Sequence, residues 1–180
     1  MCIYPAIGAL SQDGRRLAYL YPMGEGSWEI WRTVLPSPGG RVVSRSRIID
    51  TPGWNSASQP SPDGQQIVFE SCRSGRCEVL RTAADGSNPL QMTSFDSGQS
   101  GTPRWSPDGQ WIAVDHHTPT HGQIYLVDSE GRNLHLVASG DYENSVPAWS
   151  RDGTAVYFAS NRTGSWQVWR KNLATGERRR

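Results

Sequence analysis

Large apolar residues recur at every second position in short runs: Ile67 and Phe69, Ile112 and Val114, Val156 and Phe158. That is the period of a β-strand. The runs are copies of one unit. Each starts three residues after the glycine of an Asp-Gly pair, and the pairs begin at Asp13, Asp63, Asp108 and Asp152, spaced 50, 45 and 44 residues apart. The first aliphatic column is Leu17, Ile67, Ile112 and Val156, and two residues on stand Tyr19, Phe69, Val114 and Phe158. A further column, Ile30, Val79, Ile124 and Val168, lies 16, 15, 15 and 15 residues after the glycine and is followed each time by a large residue: Trp31, Leu80, Tyr125 or Trp169. A register shared across two elements and four copies marks a structural repeat.

The turns between the runs have a chemical reading. Serine at position i, proline at i+1 and glycine at i+3 suit a type I turn whose glycine takes a positive φ. Gln12 and Arg151 replace the proline in the outer copies, while serine, aspartate and glycine persist. Asp13, Gly14, Asp63, Gly64, Asp108, Gly109, Asp152 and Gly153 are therefore expected to be structural turn residues. A second hairpin follows at "YPMGEGSWEIW", "ESCRSGRCEVL" and "ASNRTGSWQVW", and a third turn at "AADGSN", "DSEGRN" and "NLATGE". "PLQMTS" and "LHLVAS" then supply a fourth strand. Four antiparallel strands in about 45 residues make one blade of a β-propeller.

The expected fold class is all-β: a propeller segment of four four-stranded antiparallel blades, the last one incomplete. The blades fall at 1–54, 55–99, 100–143 and 144–180 within a single domain. The chain opens in the innermost strand region of its first blade and stops at "NLATGERRR". An open arc from a larger propeller is expected, with flanking blades missing. Its uncovered end faces, around Leu17 and Val156, and a free strand edge at residues 166–170 would favour self-association.

Composition adds little. The formal net charge is +1, which points to neither a nucleic acid nor a membrane surface as partner. No apolar run approaches the roughly 18 residues of a membrane span, and residues 1–14 show no basic region ahead of an apolar one, so no signal peptide is expected in them.

Candidate chemistry is sparse. His116, His117 and His121 lie within six residues, a spacing that zinc or nickel could use. Neighbours on a strand point to opposite faces, however, so His116 and His117 do not suit one ion, and loop-surface residues are the expectation. Cys72 and Cys77 flank "RSGR" in the second blade's hairpin. They either form a disulfide, which implies an oxidising compartment, or remain two half-buried thiols; Cys2 is left over. Trp105 and Trp149, and Trp31 and Trp169, repeat in register and read as packing between blades. The sequence holds no G-x-S-x-G elbow, P-loop or dinucleotide fingerprint. Neither catalysis nor a cofactor is expected.

At "SPDGQQIVFESCRSG", "WSPDGQWIAVD" and "WSRDGTAVYFASNRTGSWQVW" the chain resembles the PD40, or TolB-like, propeller repeat family, over nearly its whole length. The Gly-His and Trp-Asp dipeptides of WD40 repeats are absent. "YPAIGALSQDGRRLAY" and "FASNRTGSWQVW" are similar to the C-terminal propellers of bacterial winged-helix regulators. The resemblance implies a non-catalytic module that binds a protein or ligand, as the sensor part of such a regulator, without contacting DNA itself. Two other roles fit the family: the gating propeller of a serine peptidase related to prolyl oligopeptidase or tricorn protease, and a TolB-like periplasmic partner protein. The implied compartment is the periplasm for a TolB-like protein or a membrane-anchored regulator, and the cytoplasm otherwise.

Overall fold

The computed structural model describes residues 8–11, 13–24, 27–37, 41–42, 44–49 and 54–180. Cys2, Gln12 and the tip of the first blade's second hairpin lie outside them. The described chain is all β, in four antiparallel sheets of four strands. The first holds β1 (Gly8–Leu10), β2 (Arg16–Gly24), β3 (Ser27–Val34) and β4 (Ser44–Ile49). The second holds β5 (Asn55–Pro60), β6 (Gln66–Ser71), β7 (Glu78–Ala83) and β8 (Leu90–Gln91). The third holds β9 (Gln99–Trp105), β10 (Trp111–His117), β11 (Gly122–Asp128) and β12 (Leu134–Ala138). The fourth holds β13 (Asn144–Trp149), β14 (Ala155–Ser160), β15 (Gln167–Asn172) and β16 (Arg178–Arg179). The sheets form an open propeller arc. The outer strand is two residues long in the second and fourth blades; in the fourth it pairs with Lys171 and Arg170, so the free edge of β15 ends at Trp169.

The Asp-Gly turn joins the two innermost strands of every blade, and one set of bonds closes all four copies. In the third, Ser106 Oγ donates to Asp108 Oδ1 at 2.5 Å and accepts from the Trp111 N–H at 2.9 Å, while the Gln110 N–H reaches Asp108 Oδ1 at 3.0 Å. The Gly109 N–H closes the turn on the Ser106 carbonyl, and Gly109 takes a φ of +71°. Ser11 with Asp13, Ser61 with Asp63 and Ser150 with Asp152 repeat the arrangement. The carboxylate satisfies N–H groups that the tight turn leaves without strand partners.

Strand parity decides which neighbour each column meets. Ile67, Phe69 and Leu80 face the preceding blade and pack on Ala18, Leu20 and Ile30. Val68 and Val79 face the following blade and meet Ile112 and Val114. Ala113, Ile124 and Leu126 meet Val156 and Phe158 in the same way. Each interface thus joins the forward-facing column of one blade to the backward-facing column of the next. Full burial of a residue such as Phe69 or Ile112 stabilises by about 1.5–3 kcal/mol. Trp105 is buried among the residues joining blades two and three, and Trp149 and Trp169 pack at the boundary of blades three and four.

Parity also corrects the expected end faces. Val156 is fully buried against the third blade. The exposed face of the last blade carries Tyr157 and Val168, the latter 65% exposed, because these positions match the columns that face forward in the other blades.

Candidate functional site

The innermost strands β5, β9 and β13 lie side by side. Each carries a β-bulge, marked by a register shift opposite the second strand of its blade. The bulged residues are Ala57 (φ 49°), Thr102 (φ 41°) and Val146 (φ 52°). They repeat at the 45- and 44-residue spacing of the Asp-Gly turns but occupy the opposite rim. A positive φ on non-glycine residues, two of them β-branched, costs of order 1–3 kcal/mol each and persists only where the surroundings impose it. Bulges re-aim backbone groups next to binding sites, and here the Val146 N–H turns toward the preceding blade and donates to Asp115 Oδ2 at 2.9 Å.

A concavity of about 790 Å³ opens beside these bulges, lined by residues that include Glu70, Arg76, Thr102, Asp115, His117 and Val146. Glu70 and Asp115 occupy the same column, 45 residues apart, where blades one and four hold Leu20 and Ala159. His117 stands two residues beyond Asp115 on the same face of β10. Its Nε2 lies 3.5 Å from Asp115 Oδ2, and its Nδ1 lies 3.3 Å from Oε2 of Glu143, which precedes β13. Glu70 accepts a hydrogen bond from Ser56 Oγ at 2.8 Å. Arg76 donates to the Asp96 carbonyl at the pocket edge.

The electrostatics follow from this spacing. Burial pushes Asp115 up, but the bonds from His117 and from the Val146 N–H outweigh it and hold the carboxyl below its ordinary range. The contact with Asp115 raises the His117 imidazole against its burial, and Glu143 adds to the rise. Burial raises Glu70, the charge of Asp115 reinforces it, and the Ser56 bond opposes it. The pocket therefore offers an ionised, desolvated Asp115, an imidazole biased toward its charged form, and a carboxyl of raised pKa. Such a set can receive or exchange protons with a polar group entering from the rim.

The structure separates the three histidines. His116 points away from the pocket, stacks on Phe95 with ring centroids 3.8 Å apart, and shares a hydrogen bond of 3.0 Å between its Nδ1 and Ser100 Oγ; burial lowers its pKa. His121 stays in the loop, against Thr120 Oγ1 at 2.8 Å. Only His117 reaches the pocket. The eight turn residues lie at the other rim, with their carboxylates committed to the turns. Cys72 and Cys77 are joined by a disulfide that closes the β6–β7 hairpin. The sequence reading did not single out Glu70, Asp115 or Glu143. The available signal was a charged pair, Glu70 and Asp115, in a column otherwise apolar.

The family model for the TolB β-propeller domain, PD40, matches residues 90–180. Dipeptidyl-peptidase 5 of Porphyromonas gingivalis is 22% identical over 83% of this chain, which spans 26% of that protein's length. A TolB homologue of Chlorobium luteolum is 31% identical over 76% of this chain, which spans 30% of that protein. The crystal structure of TolB from Acinetobacter baumannii superposes with a TM-score of 0.80 at 22% identity, covering 97% of this chain and 42% of that one; at that identity the likeness concerns the fold. The chain thus spans 26% and 30% of the length of these two relatives and 42% of that of the crystal structure. Repeated turns, the blade topology and the family match agree that the chain belongs to the TolB-like, PD40, β-propeller family.

Proposed function

We propose that this propeller segment is a non-catalytic recognition module, and that the rim pocket around Asp115 and His117 is where a segment of a partner protein binds. The observation that carries this reading is Asp115 itself: a carboxylate with 4% of its side chain exposed, held ionised by a neighbouring blade and facing a basic imidazole across an open pocket. Propellers present grafted binding surfaces at their rims, and a buried carboxylate paired with a half-exposed imidazole at the mouth of one marks a functional-site candidate.

The TolB homologue supports a partner-protein role and the periplasmic compartment, and a disulfide at Cys72–Cys77 suits that oxidising location. Dipeptidyl-peptidase 5 supports the second reading, an accessory propeller on a peptidase, in which the same rim faces a catalytic domain. The regulator-sensor role has only residue-level likeness behind it; the relatives named above are TolB and peptidase proteins.

A photo-crosslinking residue at Thr118, on the pocket rim, tests both in the native cell, with Glu130 at the opposite rim as control. Capture of a separate protein at Thr118 alone supports the partner role. An intramolecular link to a hydrolase domain supports the peptidase reading. Equal yields at Thr118 and Glu130 would overturn the pocket as the binding site.

A further inference from the structure

Among the described residues, one group of histidine, cysteine and acidic side chains brings three donor atoms together: a carboxylate oxygen of Glu70 and the Sγ atoms of Cys72 and Cys77, all within 4.8 Å of one another. Glu70 and Cys72 sit at i and i+2 on β6 and its extension, so they share a face, as Asp115 and His117 do in the next blade. Cys77 returns opposite Cys72 across the hairpin. From this we infer that Glu70, Cys72 and Cys77 form a redox-gated Zn²⁺ site, closed while the cysteines are a disulfide and open once they are reduced.

Two observations make the hairpin suited to both states. First, the fold does not depend on the disulfide at this position. The matching hairpin of blade four has Asn161 and Trp166 in place of the cysteines, yet closes with the same turn bond: Gly164 N–H to the Asn161 carbonyl at 2.8 Å, against Gly75 N–H to the Cys72 carbonyl at 3.1 Å. Second, the hairpin tip is unencumbered. Gly75 has φ +86°, and a Cβ placed there would meet nothing within 4 Å. Two thiolates on one tetrahedral zinc must stand roughly 3.8 Å apart, given Zn–S bonds of about 2.3 Å, so only a small opening of the tip is required.

The donor set decides the metal. Two thiolates and one carboxylate suit borderline-soft Zn²⁺ rather than Mg²⁺ or Ca²⁺, which favour all-oxygen sites. Three protein ligands leave the fourth position to water, and Glu70 also lines the rim pocket. The chemistry balances. A dithiol reductant gives two electrons and two protons to the Cys72–Cys77 bond, yielding two thiols, and itself closes to a cyclic disulfide. Zn²⁺ then displaces both thiol protons to buffer. The oxidised pair has no thiolate to give, so disulfide and metal exclude one another.

The experiment uses the full 180-residue chain carrying Cys2→Ser, reduced with a dithiol, desalted without oxygen, and titrated with Co²⁺ as the spectroscopic stand-in for Zn²⁺. The expected result is one equivalent bound, with thiolate-to-cobalt charge-transfer absorption that Zn²⁺ displaces, and none in the oxidised protein. Cys72→Ser and Cys77→Ser should each abolish the two-thiolate signal. Glu70→Gln should keep it but weaken Co²⁺ affinity roughly tenfold or more. Circular dichroism of the reduced, metal-free chain should match the oxidised one. Absence of Co²⁺ binding to the reduced chain, equal binding by Cys72→Ser, undiminished affinity in Glu70→Gln, or loss of the β spectrum on reduction would each overturn the site.

Discussion

The carboxylate of Asp115 accepts a hydrogen bond from the backbone N–H of Val146, 2.9 Å across the boundary between the third and fourth blades. The same oxygen faces His117 Nε2 at 3.5 Å. One buried side chain therefore ties the pocket's charge to the packing of the arc. Asp115→Ala strands both partners and should cost about 2–4 kcal/mol. Asp115→Asn keeps an acceptor and should cost less than half of that. In both variants the His117 pKa should fall. Urea unfolding and NMR titration of His117 check this; wild-type stability in Asp115→Ala would show that the interblade bond carries no energy.

Val146 gives the complementary test. It holds φ 52°, and the residue is 55% exposed, so little burial is lost when its side chain is removed. Strain relief of order 1–3 kcal/mol competes with the roughly 0.5–1 kcal/mol of extra chain entropy that glycine brings. Strain is the larger of the two, and Val146→Gly should leave the protein as stable as wild type or more so. A loss above about 1 kcal/mol in the same urea assay would mean that the bulge is not strained.

Glycines with similar φ should differ in cost. At Gly109 (φ +71°) an added Cβ meets only Pro62 Cδ at 3.7 Å, an ordinary contact, so Gly109→Ala should cost about 1 kcal/mol from backbone conformation alone. At Gly86 (φ +88°) it would stand 2.2 Å from the backbone carbonyl oxygen of Ile48 in the preceding blade. Backbone cannot swing aside as a side chain can, so Gly86→Ala should cost about 2–4 kcal/mol. His121→Ala should stay within about 0.5 kcal/mol. Thermal melts that rank Gly109→Ala below Gly86→Ala in stability would reverse this argument.

The contrast between these sites shows what the sequence could disclose. The Asp-Gly turns were legible because their chemistry is local: serine, aspartate and glycine within four residues specify the bonds and the positive φ. The strand columns were legible because parity repeats. The bulges were not, since Ala57, Thr102 and Val146 carry no mark of a positive φ, and neighbouring blades impose it. The pocket was hidden for the same reason. Its members come from three blades, and Glu143 meets His117 only after the third blade has folded back through two hairpins. Alternation foretold that His116 and His117 part, but not that both end β10 rather than lie in a surface loop, His116 in the core and His117 at the rim.

Acid should weaken the fold through the turns. The bond from the neighbouring serine, with those from turn N–H groups, depresses Asp13, Asp63, Asp108 and Asp152, the last from 3.8 to about 2. A carboxyl depressed on folding adds stability that is complete above its unfolded value and disappears as pH falls through the folded one. The turn carboxyls should therefore add no slope to the urea midpoints near neutrality and a drop between about pH 4 and 2. Ser150→Ala removes the leading cause of the Asp152 shift, so its titration should move up toward the ordinary value. An unchanged Asp152 titration in that variant would assign the shift elsewhere.

The two ends of the arc should find each other. Every internal interface pairs the column facing forward, such as Val68 and Val79, with the column facing backward, such as Ile112 and Val114. On blade four the forward positions are Tyr157 and Val168, both exposed, beside an exposed Trp166. On blade one the backward positions are Leu17, Tyr19 and Trp31, which are only partly buried. The two faces belong to the same repeat and so match in spacing and apolar character, and the free edge of β15 adds unpaired backbone groups. Contact between unlike faces does not exhaust itself in a dimer, because each added copy presents a fresh end. Light scattering coupled to size exclusion should thus show the mass of the 180-residue chain rising with concentration through about tens of micromolar. Tyr157→Lys with Val168→Glu should return it to monomer while shifting stability by no more than about 0.5 kcal/mol, since both side chains are exposed. A wild-type chain that stays monomeric across that range would mean the end faces are satisfied within one molecule.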